Sequence, residues 1–251
     1  MISKNNNKLS SRTIAILAFH KIGEPAPGGW KSWFYIPEKT FTDQLKFLHD
    51  NGWQVINVLT FLQGLMEPDV LPERAALITF DDGYRSVRDV ALPVLSSFGY
   101  PAVIFVPTDY IGQYNMFDDG IEPREAICNW DDLRELMSNR VSVQSHGVSH
   151  RRFSEISLDE QKEELIRSKS ILENNLGNPV ELMAFPYGDD GKNKENTKSY
   201  LRETGYQAAC LYGGDSFVLP AANPYCLSRI AMGPDTNLEE VLGVSTTKGK
   251  R

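Results

Sequence analysis

Short runs of β-branched and apolar residues alternate along the chain with longer stretches whose apolar residues repeat at helical spacing, and this alternation constrains the fold more than any other feature. The runs that read as strands are Thr13 to Phe19, Gln54 to Ile56, Ala76 to Phe80, Ala102 to Val106, Val141 to Gln144, Leu182 to Phe185, Gln207 to Leu211 and Leu227 to Ala231. Between them, Phe41, Leu45 and Leu48 fall at i, i+4 and i+7, and Val87, Val90, Ala91, Val94 and Leu95 share one helical face. Ser157 and Glu160 stand in capping-box spacing ahead of Leu165, Ile166, Ile171 and Leu172, with Gly177 and Pro179 beyond, so a helix is expected over Ser157 to Leu176. Strands separated by helices require right-handed crossovers and hence a parallel sheet, open or closed into a barrel. In a chain of 251 residues, one α/β domain from 13 to 244 between flexible polar tails at 1–12 and 245–251 accounts for the pattern. The stretch Asp109 to Asn129, rich in Gly, Asp, Asn and Glu, is too long for an ordinary connection and reads as a functional loop.

Charge narrows the partners. Lys and Arg total 26 against 33 Asp and Glu, a net charge of −7, so the basic face that a nucleic-acid binder needs is not expected. The longest strongly apolar stretch, Ile14 to Phe19, falls far short of the roughly 18 residues of a membrane span. Cys128, Cys210 and Cys226 are widely spaced, match neither a disulfide framework nor a zinc ribbon, and read as free thiols. No export signal is visible, which makes the cytoplasm the expected location of the chain as given, with export or anchoring expected if a further segment precedes it.

Three clusters carry chemistry. Asp81-Asp82-Gly83 ends the apolar run Leu77-Ile78-Thr79-Phe80, at the strand end where βα folds bind ligands. The same tripeptide recurs at Asp118-Asp119-Gly120 and Asp189-Asp190-Gly191, where no buried-looking strand precedes it, and there it reads as a turn. His146 and His150 sit four positions apart just past another strand, a spacing that lets two imidazoles share a metal with Asp82 as third ligand and leaves coordination positions open. In parallel strands, His20 at the end of the first run joins the same rim, whereas His49 lies in a helical pattern and reads as solvated. Phe185-Pro186-Tyr187-Gly188 reads as a turn or, with Trp130, Trp30 and Trp33, as a sugar-binding wall in which the Tyr187 N–H faces a developing oxyanion.

Taken together, Thr79-Phe80-Asp81-Asp82-Gly83, His146 to His150, and Phe185-Pro186-Tyr187-Gly188 resemble the three motifs of the polysaccharide deacetylase family, the NodB-homology carbohydrate esterases. The resemblance implies a deformed (β/α)7 barrel, a divalent metal, most often zinc, and hydrolysis of acetyl groups, mainly N-acetyl, on an amino-sugar glycan. It implies Asp81 as catalytic base, Asp82, His146 and His150 as metal ligands, and Tyr187 as oxyanion donor, with Phe185, Pro186, Tyr187, Trp130 and Arg229 around the substrate. No histidine follows His150, so the family's usual C-terminal acid is missing; Leu17-Ala18-Phe19-His20 resembles the permuted branch of the poly-N-acetylglucosamine deacetylases, which implies His20 as the acid. Two departures stand out. Gly147 occupies a position that usually carries Ser or Thr, and Ala184 one that often carries Arg, so Arg229 is expected to supply that charge from the last strand. These departures motivate a rival reading, a catalytically silent carbohydrate-binding protein; a non-sugar C–N amidohydrolase on the same barrel is the other alternative.

Overall fold

The computed structural model describes residues 12–25 and 27–243. The tails expected at 1–12 and 245–251 lie, apart from Arg12, outside the described residues. The elements run β1 (Thr13–Phe19), β2 (Lys21–Ile22), β3 (Tyr35–Ile36), α1 (Glu38–Asp50), β4 (Gln54–Val55), α2 (Val58–Met66) and β5 (Arg74–Phe80). They continue through α3 (Leu92–Phe98), β6 (Ala102–Val106), α4 (Trp130–Ser138), β7 (Val141–Ser145), α5 (Leu158–Leu176), β8 (Leu182–Ala184), α6 (Lys194–Thr204), β9 (Ala208–Cys210), β10 (Phe217–Val218), β11 (Ile230–Ala231) and α7 (Leu238–Val241).

Strands β1, β5, β6, β7, β8 and β9 pair in that order, all parallel. The last segment closes the ring: Leu227 bridges to Cys210 of β9 in parallel, and β11 pairs in parallel with β1 through Leu17 and Ala18. The result is a deformed (β/α)7 barrel in one domain. Its deformation has a local cause at each seam. The strand expected at Gln54 to Ile56 is a two-residue patch along the start of β5, while β6 joins β5 only at Thr79 and Phe80. The antiparallel β10 covers the start of β1, and β11 covers its end. Between β7 and β8 one backbone pair, Ser145 with Met183, is supplemented by the Gln144 side chain, whose Oε1 accepts from the Glu181 and Leu182 N–H groups at 2.9 and 2.8 Å.

Side-chain alternation divides the core into two layers. Ile14, Ile16, Ala75, Leu77, Val103, Phe105, Leu182 and Ala184 fill the barrel interior, which Phe61 and Leu62 of α2 join. Ala15, Leu17, Phe19, Ile78, Phe80 and Ile104 face outward against Phe41, Leu45, Leu95, Leu133 and Leu165 of the surrounding helices. The capping box expected for α5 is present in both directions, Ser157 to the Glu160 N–H and Glu160 back to the Ser157 N–H, and the helix ends on Gly177 at φ 72°. Cys128, Cys210 and Cys226 are free. No described helix is long and apolar enough to cross a membrane.

Candidate active site

Parallel strands deliver their C-terminal ends to one rim, and there His20, Asp81, Asp82, His146 and His150 meet in a cavity of about 330 Å³. Asp81 continues β5, its N–H donating to the Phe19 carbonyl at 2.9 Å. Successive strand residues would point to opposite faces, but Asp82 turns into the left-handed region at φ 68°, and so both carboxylates reach the mouth. His150 and Tyr187 also hold positive φ, 56° and 57°. Left-handed backbone costs a non-glycine residue on the order of 1–3 kcal/mol, and three such residues around one cavity mark a place where packing holds the chain against local preference.

Asp82 is the hub. Its Oδ1 lies 3.2 Å from His146 Nε2 and 3.0 Å from His150 Nε2. Among the described residues, these three are the one group of metal-binding side chains with donor atoms all within 4.8 Å of one another. The far nitrogen decides what the group can hold. His146 Nδ1 lies 2.7 Å from the Ala184 carbonyl, which only accepts; Nδ1 therefore carries a proton, which leaves Nε2, turned to the Asp82 oxygen, as the atom where a second proton or a cation can sit. Two acceptors at hydrogen-bonding distance repel until a positive charge joins them. Burial lowers the His146 pKa, yet the Asp82 and Asp81 carboxylates outweigh it and bring it above the ordinary value; against its own burial, Asp82 is held well below the carboxylate range by the two imidazoles. Two ring nitrogens and one carboxylate oxygen, buried and converging, fit a divalent cation.

Asp81 has other partners. Arg229, fully buried, grips it with two parallel hydrogen bonds of 2.7 Å, Nη1 to Oδ1 and Nη2 to Oδ2, while Nε donates to the Leu211 carbonyl at 2.6 Å. Burial raises the Asp81 pKa, and the guanidinium, joined by His146 and His20, more than reverses this, so the carboxyl lies below its ordinary value. His20 Nε2 stands 4.0 Å from an oxygen of each aspartate. Its ring is wedged between Phe34, centroids 4.6 Å apart, and the edge-on Tyr212 at 5.3 Å, and burial pulls its pKa below the ordinary imidazole value against the attraction of Asp82 and Asp81.

The loop expected to be functional, Asp109 to Asn129, forms one wall. Phe117 lies tilted against His150 with centroids 4.0 Å apart, Asp118 accepts from the Tyr187 hydroxyl at 2.9 Å, and Glu122 pairs with the buried Lys21 at 2.6 Å. Asp118 thus corrects the reading of the second Asp-Asp-Gly as a mere turn: its carboxyl lines the cavity, its pKa raised by burial and by the charge of Asp82. The third copy is structural, with Asp189 capping the Ser154 N–H and hydroxyl.

The rest of the cavity wall is made in part by residues other than those expected. Tyr187, 39% exposed, does line the cavity, under the Arg152 guanidinium at 4.1 Å from its ring centroid. Phe185 instead turns outward onto Phe153 in the helix-facing core, Pro186 is buried, and Trp130 packs half-buried against that same outer core. Arg229, enclosed beneath Asp81, is out of a substrate's reach. Trp30 and Trp33 are exposed outside the cavity, Trp33 donating to Asp235 at 2.7 Å. Sequence reasoning missed Phe34, Tyr212, Tyr84, Ile121 and Arg152, which complete the lining with Lys21 and Glu122. Lys21 directly follows His20 and could have been found from that; the others lie in loops with no periodicity to read.

A parallel βα barrel carrying two imidazoles, two carboxylates and a third histidine at its C-terminal mouth defines a hydrolase-type site class with a candidate metal centre. The chain belongs to the polysaccharide deacetylase family, whose model matches residues 69–209. It is 28% identical over 172 residues, 68% of this chain, to YxkH of Bacillus subtilis (strain 168), named for the polysaccharide deacetylases; the match spans 57% of that protein's length. It is 24% identical to the poly-beta-1,6-N-acetyl-D-glucosamine N-deacetylase of Staphylococcus epidermidis over 80% of this chain and 69% of that one. The deacetylase PplD of Streptococcus pyogenes, solved in complex with acetate, shares the fold with a TM-score of 0.79 and 22% identity, covering 93% of this chain and 98% of that one.

Proposed function

We propose that this chain hydrolyses acetyl groups, N-acetyl first among them, from an amino-sugar glycan, with Asp82, His146 and His150 holding a divalent cation, zinc as first candidate. The observation that carries this reading is the division of labour between neighbouring carboxylates: Asp82 faces two imidazoles, while Asp81 faces Arg229 and stays clear of them. When bound, the cation supplies Lewis-acid polarisation of the scissile carbonyl and acidification of water. Asp81, kept ionised by Arg229, takes the proton from the attacking water. His20, in reach of both aspartates, gives a proton to the departing amine, and the Tyr187 backbone N–H supports the developing oxyanion. Phe34, Tyr212 and Tyr187 offer ring faces to a pyranose, and Asp118, Glu122 and Arg152 offer polar contacts to its hydroxyls.

The name of the Staphylococcus epidermidis relative makes poly-β-1,6-N-acetylglucosamine the first substrate to test. The protein incubated with its oligomers releases acetate; chelation stops the release and added zinc restores it. Metal without acetate release favours a C–N amidohydrolase of another substrate class, and neither metal nor acetate favours a silent carbohydrate-binding protein.

A further inference from the structure

The loop that carries His146 and His150 is held from behind by one side chain of α5. Glu164 Oε2 accepts from the Val148 N–H at 2.6 Å and the Ser149 N–H at 3.0 Å, and Oε1 accepts from the Ser149 hydroxyl at 2.5 Å. The residue is 9% exposed, and its three bonds fall on the two residues immediately before His150. The carboxylate also explains the glycine. A Cβ on Gly147 would stand 2.9 Å from Glu164 Oε2, and Gly147 has φ 77°. Any side chain there would push the carboxylate off the amides it binds.

On the reading that Asp82, His146 and His150 hold a metal, we infer that Glu164 is a positioning residue for that centre, fixing His150 in its left-handed conformation, and that Gly147 is the space Glu164 requires. The physical argument is over-determination. His150 at φ 56° is not a conformation its own backbone favours, and among the described residues its buried Nδ1 has no hydrogen-bond partner to orient it as the Ala184 carbonyl orients His146. The backbone clamp through Glu164 takes that part, joined by the Phe117 ring. A single carboxylate accepting two N–H groups and a hydroxyl is a strong restraint, because charge-assisted hydrogen bonds exceed neutral ones.

The test is zinc affinity, measured by calorimetric titration of metal-free protein, beside the thermal midpoint of the same metal-free samples. Glu164→Ala is expected to weaken zinc binding about 10- to 100-fold, the range seen when outer-shell partners of metal ligands are lost. Glu164→Gln, which keeps an oxygen for the two amides, is expected to fall between Glu164→Ala and the parent. Leu172→Ala, on the same helix but buried in the outer core, lowers the midpoint and leaves zinc affinity unchanged. Gly147→Ala weakens zinc binding more when Glu164 is present than in the Glu164→Ala background, because the steric conflict needs both partners. Parent-like zinc affinity in Glu164→Ala, or an equal loss in Leu172→Ala, overturns the inference; should Glu164→Ala not fold, parent-like affinity in Glu164→Gln does so. Acetate release is judged separately: a parent protein that binds zinc but releases no acetate overturns the proposed function and leaves this inference standing.

Discussion

Asp81→Asn keeps its metal and loses acetate release by roughly 10²- to 10⁴-fold, the span attributed to a general base, whereas Asp82→Ala loses metal and activity together. The two residues are adjacent, both are at most 4% exposed, and a generic disturbance of the rim would affect the two variants alike. Their partners separate them. Asparagine in place of Asp81 preserves shape and leaves the Asp82–His146–His150 group untouched, but it has no basic oxygen for a proton and receives the guanidinium only weakly. Alanine in place of Asp82 removes the oxygen on which both Nε2 atoms converge at 3.0 and 3.2 Å. Metal content by elemental analysis and acetate release on the same preparations read the two effects independently. An Asp81→Asn protein that stays active removes Asp81 as the base.

Arg229→Met is expected to cost about 3–5 kcal/mol of folding stability, because it leaves Asp81 a buried, unpaired charge. At this chain length that corresponds to a fall of roughly 6–20 °C in thermal midpoint. Arg229 is fully buried, so solvent screening gives little relief. Removal also takes away a hydrogen bond to the Leu211 carbonyl and one to the Thr79 hydroxyl, at 2.6 and 3.3 Å. Activity falls as well: burial raises the Asp81 pKa, and without the guanidinium only His146 and His20 are left to oppose it, so the carboxyl gives up part of its ionised character. Arg229→Met combined with Asp81→Asn recovers part of the stability, since no unpaired charge remains, and recovers none of the activity. Calorimetry of the single and double variants checks the pairing, and a single variant as stable as the parent contradicts it.

Where the sequence was legible, a backbone rule stood behind the pattern. Thr13 to Phe19 and Ala102 to Val106 form strands over those residues, and the α5 capping box and its terminal glycine fall where Ser157, Glu160 and Gly177 placed them. The five rim residues could be gathered because parallel topology sends every strand end to one side. What escaped has physical causes. The seams at β4 and β10 depend on where neighbouring strands diverge, which no local period records. Helix α5 buries Gln161, Glu164 and Ser168 beside Leu165 and Leu172, and apolar periodicity passes over polar residues that face a loop; Ile166, which the pattern favoured, is 38% exposed. Asp118 was hidden by a tripeptide with a good local explanation, and Phe185 and Trp130 face the outer core on the opposite side of the strand ends from the cavity.

The most direct test is anomalous diffraction at the zinc edge from crystals soaked in zinc chloride. A single strong peak between Asp82 Oδ1, His146 Nε2 and His150 Nε2, at the roughly 2.0–2.2 Å expected for zinc with nitrogen and oxygen donors, is the predicted result. Density at some other group of side chains, or no peak at this one, contradicts the account.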